Sequence, residues 1–337
     1  MTYVGVAGWD YPDWSGVVYP ARASRGFDRL AWLSRFVDCI EINTTFYRPV
    51  APKIAASWVR RVQDRPGFKF TAKAHRSWTH EPWDDPIAVV PPTLDGLGPI
   101  REAGLLGALL VQFPQSFHWN PEARDKLGRL LTGLSDWPVV IETRHASWDD
   151  DRAAAFVHEL GAGWCVVDQP RLGSTIEARP RVTSPTAYLR LHGRNAAAWF
   201  DEDAGRDKRY DYLYAETELR PLAEAARGMA TRAQAVYAVA NNHFRGQAVV
   251  AALQLKHLIQ GVEPEAPEEL AAAYPGLKGP ERLFWPPSRA RSRLARSSSI
   301  CCAIFAYLLI GYSVTTRSRY TRASDSFRFF WSVHPSQ

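Results

Sequence analysis

Several familiar signatures are missing from this chain. It holds no glycine-rich loop of the form G-x-G-x-x-G or G-x-x-x-x-G-K, which removes the usual marks of dinucleotide and P-loop nucleotide binding. Cysteine is scarce. Of four, Cys39 and Cys165 sit singly in apolar runs and Cys301 and Cys302 are adjacent, a spacing that fits neither a zinc site nor a disulfide framework. Cys39 and Cys165 read instead as small buried hydrophobes. The apolar stretch Ile300–Val314 has 15 residues; as a helix it would span about 22 Å, short of the roughly 30 Å hydrocarbon core. No membrane partner is expected. The chain opens directly on an apolar strand pattern, without the charged and apolar regions of a signal peptide, and the expected location is the cytoplasm.

Net charge is also nearly absent from the body of the chain. The total of +6 is concentrated at the C-terminal end, where nine Arg stand against one Glu and one Asp between Glu281 and Gln337, leaving −1 for Met1–Pro280. A basic balance points to nucleic acid or membrane only where it covers a folded surface. Here it belongs to an Arg/Ser-rich tail, residues 288–337, expected to be disordered or foreign to a domain spanning 1–287.

What is present is a repeated alternation. Eight short apolar runs read as strands buried on both faces: Tyr3–Ala7, Cys39–Ile42, Phe68–Ala72, Leu106–Val111, Val139–Ile141, Gly163–Val167, Ala187–Leu191 and Ala235–Val239. Helix-length segments with 3.6-residue apolar spacing lie between most of them, including Phe27–Phe36, Ile54–Val62, Glu122–Leu134, Asp150–Leu160, Leu213–Arg227 and Ala248–Ile259. Strand–helix alternation with continuously apolar strands specifies a parallel sheet covered on both sides. Eight such units predict an α/β, TIM-like (β/α)8 barrel, a fold that takes about 250 residues. Asn120 before Pro121, Gly161 after Leu160 and Gly246 before the last helix are helix boundary signals. The sixth crossover, Asp168 to Pro185, has no helical periodicity and is expected to be irregular.

Polar residues gather where these strands end. Glu41-Ile42-Asn43, Glu142-Thr143-Arg144 and Arg190-Leu191-His192 place i, i+2 pairs on one face of strands two, five and seven. Charged pairs would be costly against the helix layer, so they should look into the barrel mouth, where active sites of this fold lie. Lys73 and His75, Gln112, Asp168, and Asn241 with Asn242 end other strands, and Trp9 follows the first. Phe46, Tyr47, His80 and Trp148 come from nearby loops, and His243 is placed to reach the mouth. His118 and His145 fall outside the pairing pattern and read as loop residues. A Glu, an Arg and a Gln inside a barrel can also simply satisfy one another; seven strands ending in polar side chains exceed that need.

These residues resemble a known family. Gly8-Trp9-Asp10-Tyr11 with Trp14 and Tyr19-Pro20 is similar to the opening of the YecE-like proteins, also called domain of unknown function 72. The likeness continues in order through Glu41-Ile42-Asn43-Thr44-Thr45-Phe46-Tyr47, Lys73, Thr79-His80, Gln112-Phe113-Pro114, Glu142-Thr143-Arg144-His145, Arg190-Leu191-His192-Gly193 and Asn241-Asn242. It covers about Met1 to Ile259. The resemblance implies a TIM-like barrel, bacterial or archaeal and cytoplasmic, without an established activity. The family commonly carries F-N-N-D at the eighth strand, whereas this chain has Ala240-Asn241-Asn242-His243, so the acid is absent.

Three functions compete. The first is an enzyme, of hydrolase, lyase or isomerase type, acting on a small polar or anionic ligand, phosphorylated or sugar-like. Its catalytic candidates are Glu41, Glu142, Asp168 and His192, with the two Glu as general acid and base. Its binding candidates are Asn43, Tyr47, Lys73, His80, Gln112, Arg144, Trp148, Arg190, Asn241 and Asn242. Arg144 and Arg190 suit bidentate capture of carboxylate or phosphate. The second is a metal-dependent endonuclease- or isomerase-like barrel, with Glu41, Glu142, Asp168 and His192 around a divalent ion; Lys73 and the arginines would compete for those carboxylates. The third is a non-catalytic nucleic-acid binder using the aromatics for stacking. No cofactor is identified beyond that divalent metal.

Overall fold

A computed structural model describes residues 1–82, 90–199, 201, 208–261 and 263–277. Eight strands form one sheet: β1 (Thr2–Ala7), β2 (Cys39–Ile42), β3 (Lys69–Lys73), β4 (Leu106–Gln112), β5 (Val139–Glu142), β6 (Gly163–Asp168), β7 (Thr186–Leu191) and β8 (Ala235–Ala240). Every neighbour is parallel and in sequence order, and β8 pairs with β1 to close the barrel. The described helices are α1 (Arg29–Leu33), α2 (Pro52–Arg61), α3 (Pro91–Glu102), α4 (Pro121–Thr132), α5 (Asp151–Glu159), α6 (Ala196–Trp199), α7 (Glu216–Ala230), α8 (Gln247–Gln260) and α9 (Glu268–Ala273). The (β/α)8 expectation holds. The tail expected beyond Pro287, with its apolar stretch, lies outside the described residues. Among the described residues no helix is long and apolar enough to cross a membrane.

Local chemistry explains most boundaries. Asn120 accepts a hydrogen bond from Ala123 N at 2.7 Å, with Pro121 opening α4 behind it, and Asp28 does the same for α1 through Ala31 N. Such caps satisfy amides that have no partner inside the helix. Gly161 stands at φ +71° just past α5, in the left-handed region that glycine enters without strain. The sixth crossover has no helix: its backbone instead bonds to the loop after β5, Ala146 N to Ser174 O and Ile176 N to Arg144 O.

One reading needs correction. The segment expected to be helical from Leu213 stays extended until Glu216. Tyr212 and Tyr214 there spend their hydroxyls on Glu218 and Asp168, and Glu218 then caps Ala215 N at 2.9 Å. Helix α3 escaped the periodicity because Pro91, Pro92, Gly96, Gly98 and Pro99 interrupt it. Gly96 is nonetheless required, since a Cβ there would stand 2.2 Å from Val50 O.

Inside the barrel, the side chains rise in steps toward the carboxyl end of the sheet. Tyr3 and Tyr237 stack at 5.0 Å. The Tyr188 hydroxyl lies 2.7 Å from Thr71 Oγ1 and donates to Glu41 Oε2 at 2.9 Å. Cys39 and Cys165 are buried and free, as expected, and burial pushes both thiols well up.

Candidate functional site

The i, i+2 pairs meet in the upper barrel. Arg190 on β7 reaches both acids in one fork, Nη2 to Glu41 Oε1 at 2.6 Å and Nη1 to Glu142 Oε2 at 2.6 Å. Glu41 and Glu142 are fully buried and Arg190 is 1% exposed. Arg144 binds the other side of Glu142, Nε to Oε1 at 3.0 Å. Burial alone would raise the Glu142 pKa, but Arg190 and then Arg144 outweigh it and hold the carboxyl well below the usual range. It stays ionised and is therefore no proton donor near neutrality. Glu41, enclosed by Arg190 and Tyr188, is equally shut off from solvent. Both acids expected to transfer protons accept hydrogen bonds from these guanidiniums.

His192 sits just past β7, fully buried. Its Nε2 is 3.2 Å from Arg144 Nη2 and its Nδ1 3.0 Å from the Asn241 amide. Burial, then the Arg144 and Arg190 charges, bring its pKa down to about 3, so the ring lies neutral between Arg144 and Asn241. Lys73, the last residue of β3, is partly exposed, with its ammonium 4.0 Å from the centre of the Phe46 ring. Burial and then Arg190 lower its pKa to about 7. Among the candidates it is the group poised to exchange a proton near neutral pH.

A cavity of about 760 Å³ opens above this layer. Of the candidate residues, Asn43, Tyr47, Lys73, Gln112, Arg144, Arg190 and Asn241 line it, together with Trp9 and His243. Glu41, Glu142 and His192 lie beneath its surface. The remaining candidates are held elsewhere. Asp168 is clamped by Arg194, Nη2 to Oδ1 at 2.7 Å, and by the Tyr214 hydroxyl at 2.5 Å. Asn242 donates to Tyr212 O at 2.8 Å. Trp148 is fully buried against Phe117, whose carbonyl accepts its indole N–H at 2.8 Å. His80 packs on Phe46 without lining the cavity. Its ring is pulled down to about 4, by desolvation first and then by Lys73.

Sequence reasoning missed one flank of the cavity, made by Phe27, Arg29, Trp58, Arg61 and Tyr210. These belong to α1 and the turn before it, to α2 and to a late loop, where the helical period marks no functional residue. The Asp28–Arg61 fork, 2.6 and 2.5 Å, and the Arg29–Asp10 pair hold it in place.

Two loops at the mouth are built on one pattern. His75-Arg76-Ser77-Trp78 follows β3 and His145-Ala146-Ser147-Trp148 follows β5. In each, the His Nδ1 accepts from the Ser amide, at 3.2 and 3.1 Å, and a short 3-10 turn carries a fully buried Trp. His75 and His145 are therefore turn caps, and His145 also stacks on His118 at 3.8 Å. Among the described residues no group of three or more His, Cys, Asp or Glu stands together as a metal site.

Comparison with known proteins agrees with this architecture. The sequence model of the family described as "Protein of unknown function DUF72" matches residues 3–272. The UPF0759 protein YunF of Bacillus subtilis is 26% identical over 77% of this chain and 95% of its own length. The UPF0759 protein YecE of Escherichia coli is 24% identical over 50% of this chain and 59% of its own length. A crystal structure of a DUF72 family protein from Thermotoga maritima superposes with a TM-score of 0.67 at 33% identity, over 77% of this chain and 99% of that one. A second, from Enterococcus faecalis, gives 0.68 at 26% identity over 77% and 96%.

Proposed function

We propose that this chain, which belongs to the DUF72 family, is an enzyme whose barrel mouth binds a small anionic ligand, phosphorylated or sugar-acid-like. The supporting observation is the lining of the cavity: among the described residues, Arg29, Arg61, Lys73, Arg144 and Arg190 stand against a single carboxylate, Asp10. Its volume, about 760 Å³, falls in the range of metabolite sites. Buried carboxylates cancel much of the net charge, so recognition rests on oriented N–H donors rather than on a long-range field. Asn43, Gln112 and Asn241 add neutral hydrogen-bonding groups suited to hydroxyls. Proton transfer falls to Lys73, because Glu41 and Glu142 are enclosed.

The metal-dependent reading has less behind it: Glu41, Glu142 and Asp168 already accept from arginines. Nucleic-acid binding would have to use the aromatic flank, on a body without net positive charge. Calorimetric titration with inorganic phosphate and glucose 6-phosphate tests the proposal. Arg144→Ala should weaken binding by roughly 10- to 100-fold, the worth of a hydrogen bond to a charged group. No binding by the wild type, or binding that Arg144→Ala leaves unchanged, would refute it.

A further inference from the structure

Among the described residues five cations line the mouth, and four of them are arginines that each form an ion pair: Arg29 with Asp10, Arg61 with Asp28, Arg144 with Glu142, and Arg190 with both buried acids. Lys73 alone of the five forms no ion pair among the described residues. The chain is also lysine-poor, with seven Lys. Among the described cations of the lining, only Lys73 can become a nucleophile, since a guanidinium does not lose its proton in proteins.

We infer that the Lys73 amine forms an imine with the carbonyl group of an anionic aldehyde or ketone held in this cavity. The inference rests on the anion-binding reading above and names a substrate class for it. The neutral Nζ attacks the carbonyl carbon, the C–N bond forms, and the carbonyl π pair moves to oxygen, which takes up a proton. The carbinolamine then loses water as the C–O bond breaks, leaving a protonated imine; water reverses the sequence and frees the lysine. Every part is on hand. Burial and then the neighbouring Arg190 charge keep a large fraction of the amine neutral at pH 7, as for Schiff-base lysines in general. Arg144, in the same lining, meets the anionic group. The face of Phe46, 4.0 Å from Nζ, stabilises the iminium cation that results.

Borohydride trapping tests this on the full chain. Glyoxylate and dihydroxyacetone phosphate serve as anionic probes and propanal as a neutral one, each reduced in place and followed by intact mass and peptide mapping. The expected product is one reduced adduct per chain, on Lys73, formed with the anionic probes at least tenfold faster than with propanal. With its pKa lowered to about 7, roughly half of Lys73 is neutral at pH 7, and the other six lysines of the chain, Lys53, Lys69, Lys126, Lys208, Lys256 and Lys278, supply an internal control that needs no variant. Lys73→Met should lose the adduct while its circular dichroism matches the wild type. Adducts spread over the lysines according to exposure would overturn the imine, as would phosphate binding with no adduct at Lys73, although that second result leaves the anion site standing. A Lys73 adduct formed equally well with propanal upholds the imine and overturns the anionic substrate class.

Discussion

Replacing Arg190 by Met is the sharpest test of how the upper barrel is held together. The substitution keeps much of the apolar stem and removes the one group that bridges Glu41 and Glu142, both fully buried. Breaking a buried ion pair by deleting one partner costs about 3–5 kcal/mol, because the remaining charge has no water to turn to. Glu142 retains Arg144 and Glu41 retains Tyr188, which argues for the lower half of that range. With an unfolding entropy of roughly 2.1 cal/mol/K per residue over about 270 residues, the midpoint should fall by about 5–7 °C. The loss should also depend on pH. In the variant a carboxyl without its cation has a folded pKa above the unfolded value of about 4.3, so it takes up a proton more readily when folded and the deficit shrinks between pH 7 and 5. In the wild type Glu142 is shifted the other way, and its contribution is lost only as pH falls through its depressed folded pKa. Urea unfolding at pH 7 and pH 5 measures both effects. Adding Glu41→Gln to the variant should restore part of the stability. A loss below about 1 kcal/mol, or one identical at both pH values and indifferent to Glu41→Gln, would refute the bridging role.

Further outcomes follow from the same geometry. Folded His192 titrates at about 3 against about 6.5 unfolded, so below pH 6.5 the unfolded chain binds a proton the folded one refuses, and stability falls with pH by up to about 1.4 kcal/mol per unit. His192→Gln should flatten that slope between pH 6 and 4; parallel denaturation profiles for the two proteins would show that the ring is not held neutral. Asp168→Asn should cost about 1–3 kcal/mol by loosening the Arg194 and Tyr214 clamp, yet leave phosphate affinity within twofold; a large loss of affinity would place Asp168 in the site after all.

The sequence by itself determined the barrel and the address of its site. Eight continuously apolar runs separated by helical periods leave few topologies, and a strand period of two assigns Glu41 with Asn43, Glu142 with Arg144 and Arg190 with His192 to one face. Caps such as Asn120-Pro121 were legible because they act within a few residues. What only the tertiary structure decided was who meets whom. Arg190 closes on Glu41 149 positions away and Glu142 48 positions away, and no local pattern separates acids spent on arginines from acids open to a ligand. Asp168 and Trp148 looked like rim residues, but Arg194, Tyr214 and the Phe117 carbonyl claim them from neighbouring loops. The Arg29, Arg61 and Trp58 flank was invisible for the converse reason: it lies on helices whose sequence pattern records only which face is buried. Composition and period report the environment of a side chain, whereas its chemistry is set by partners that the barrel brings within 3 Å.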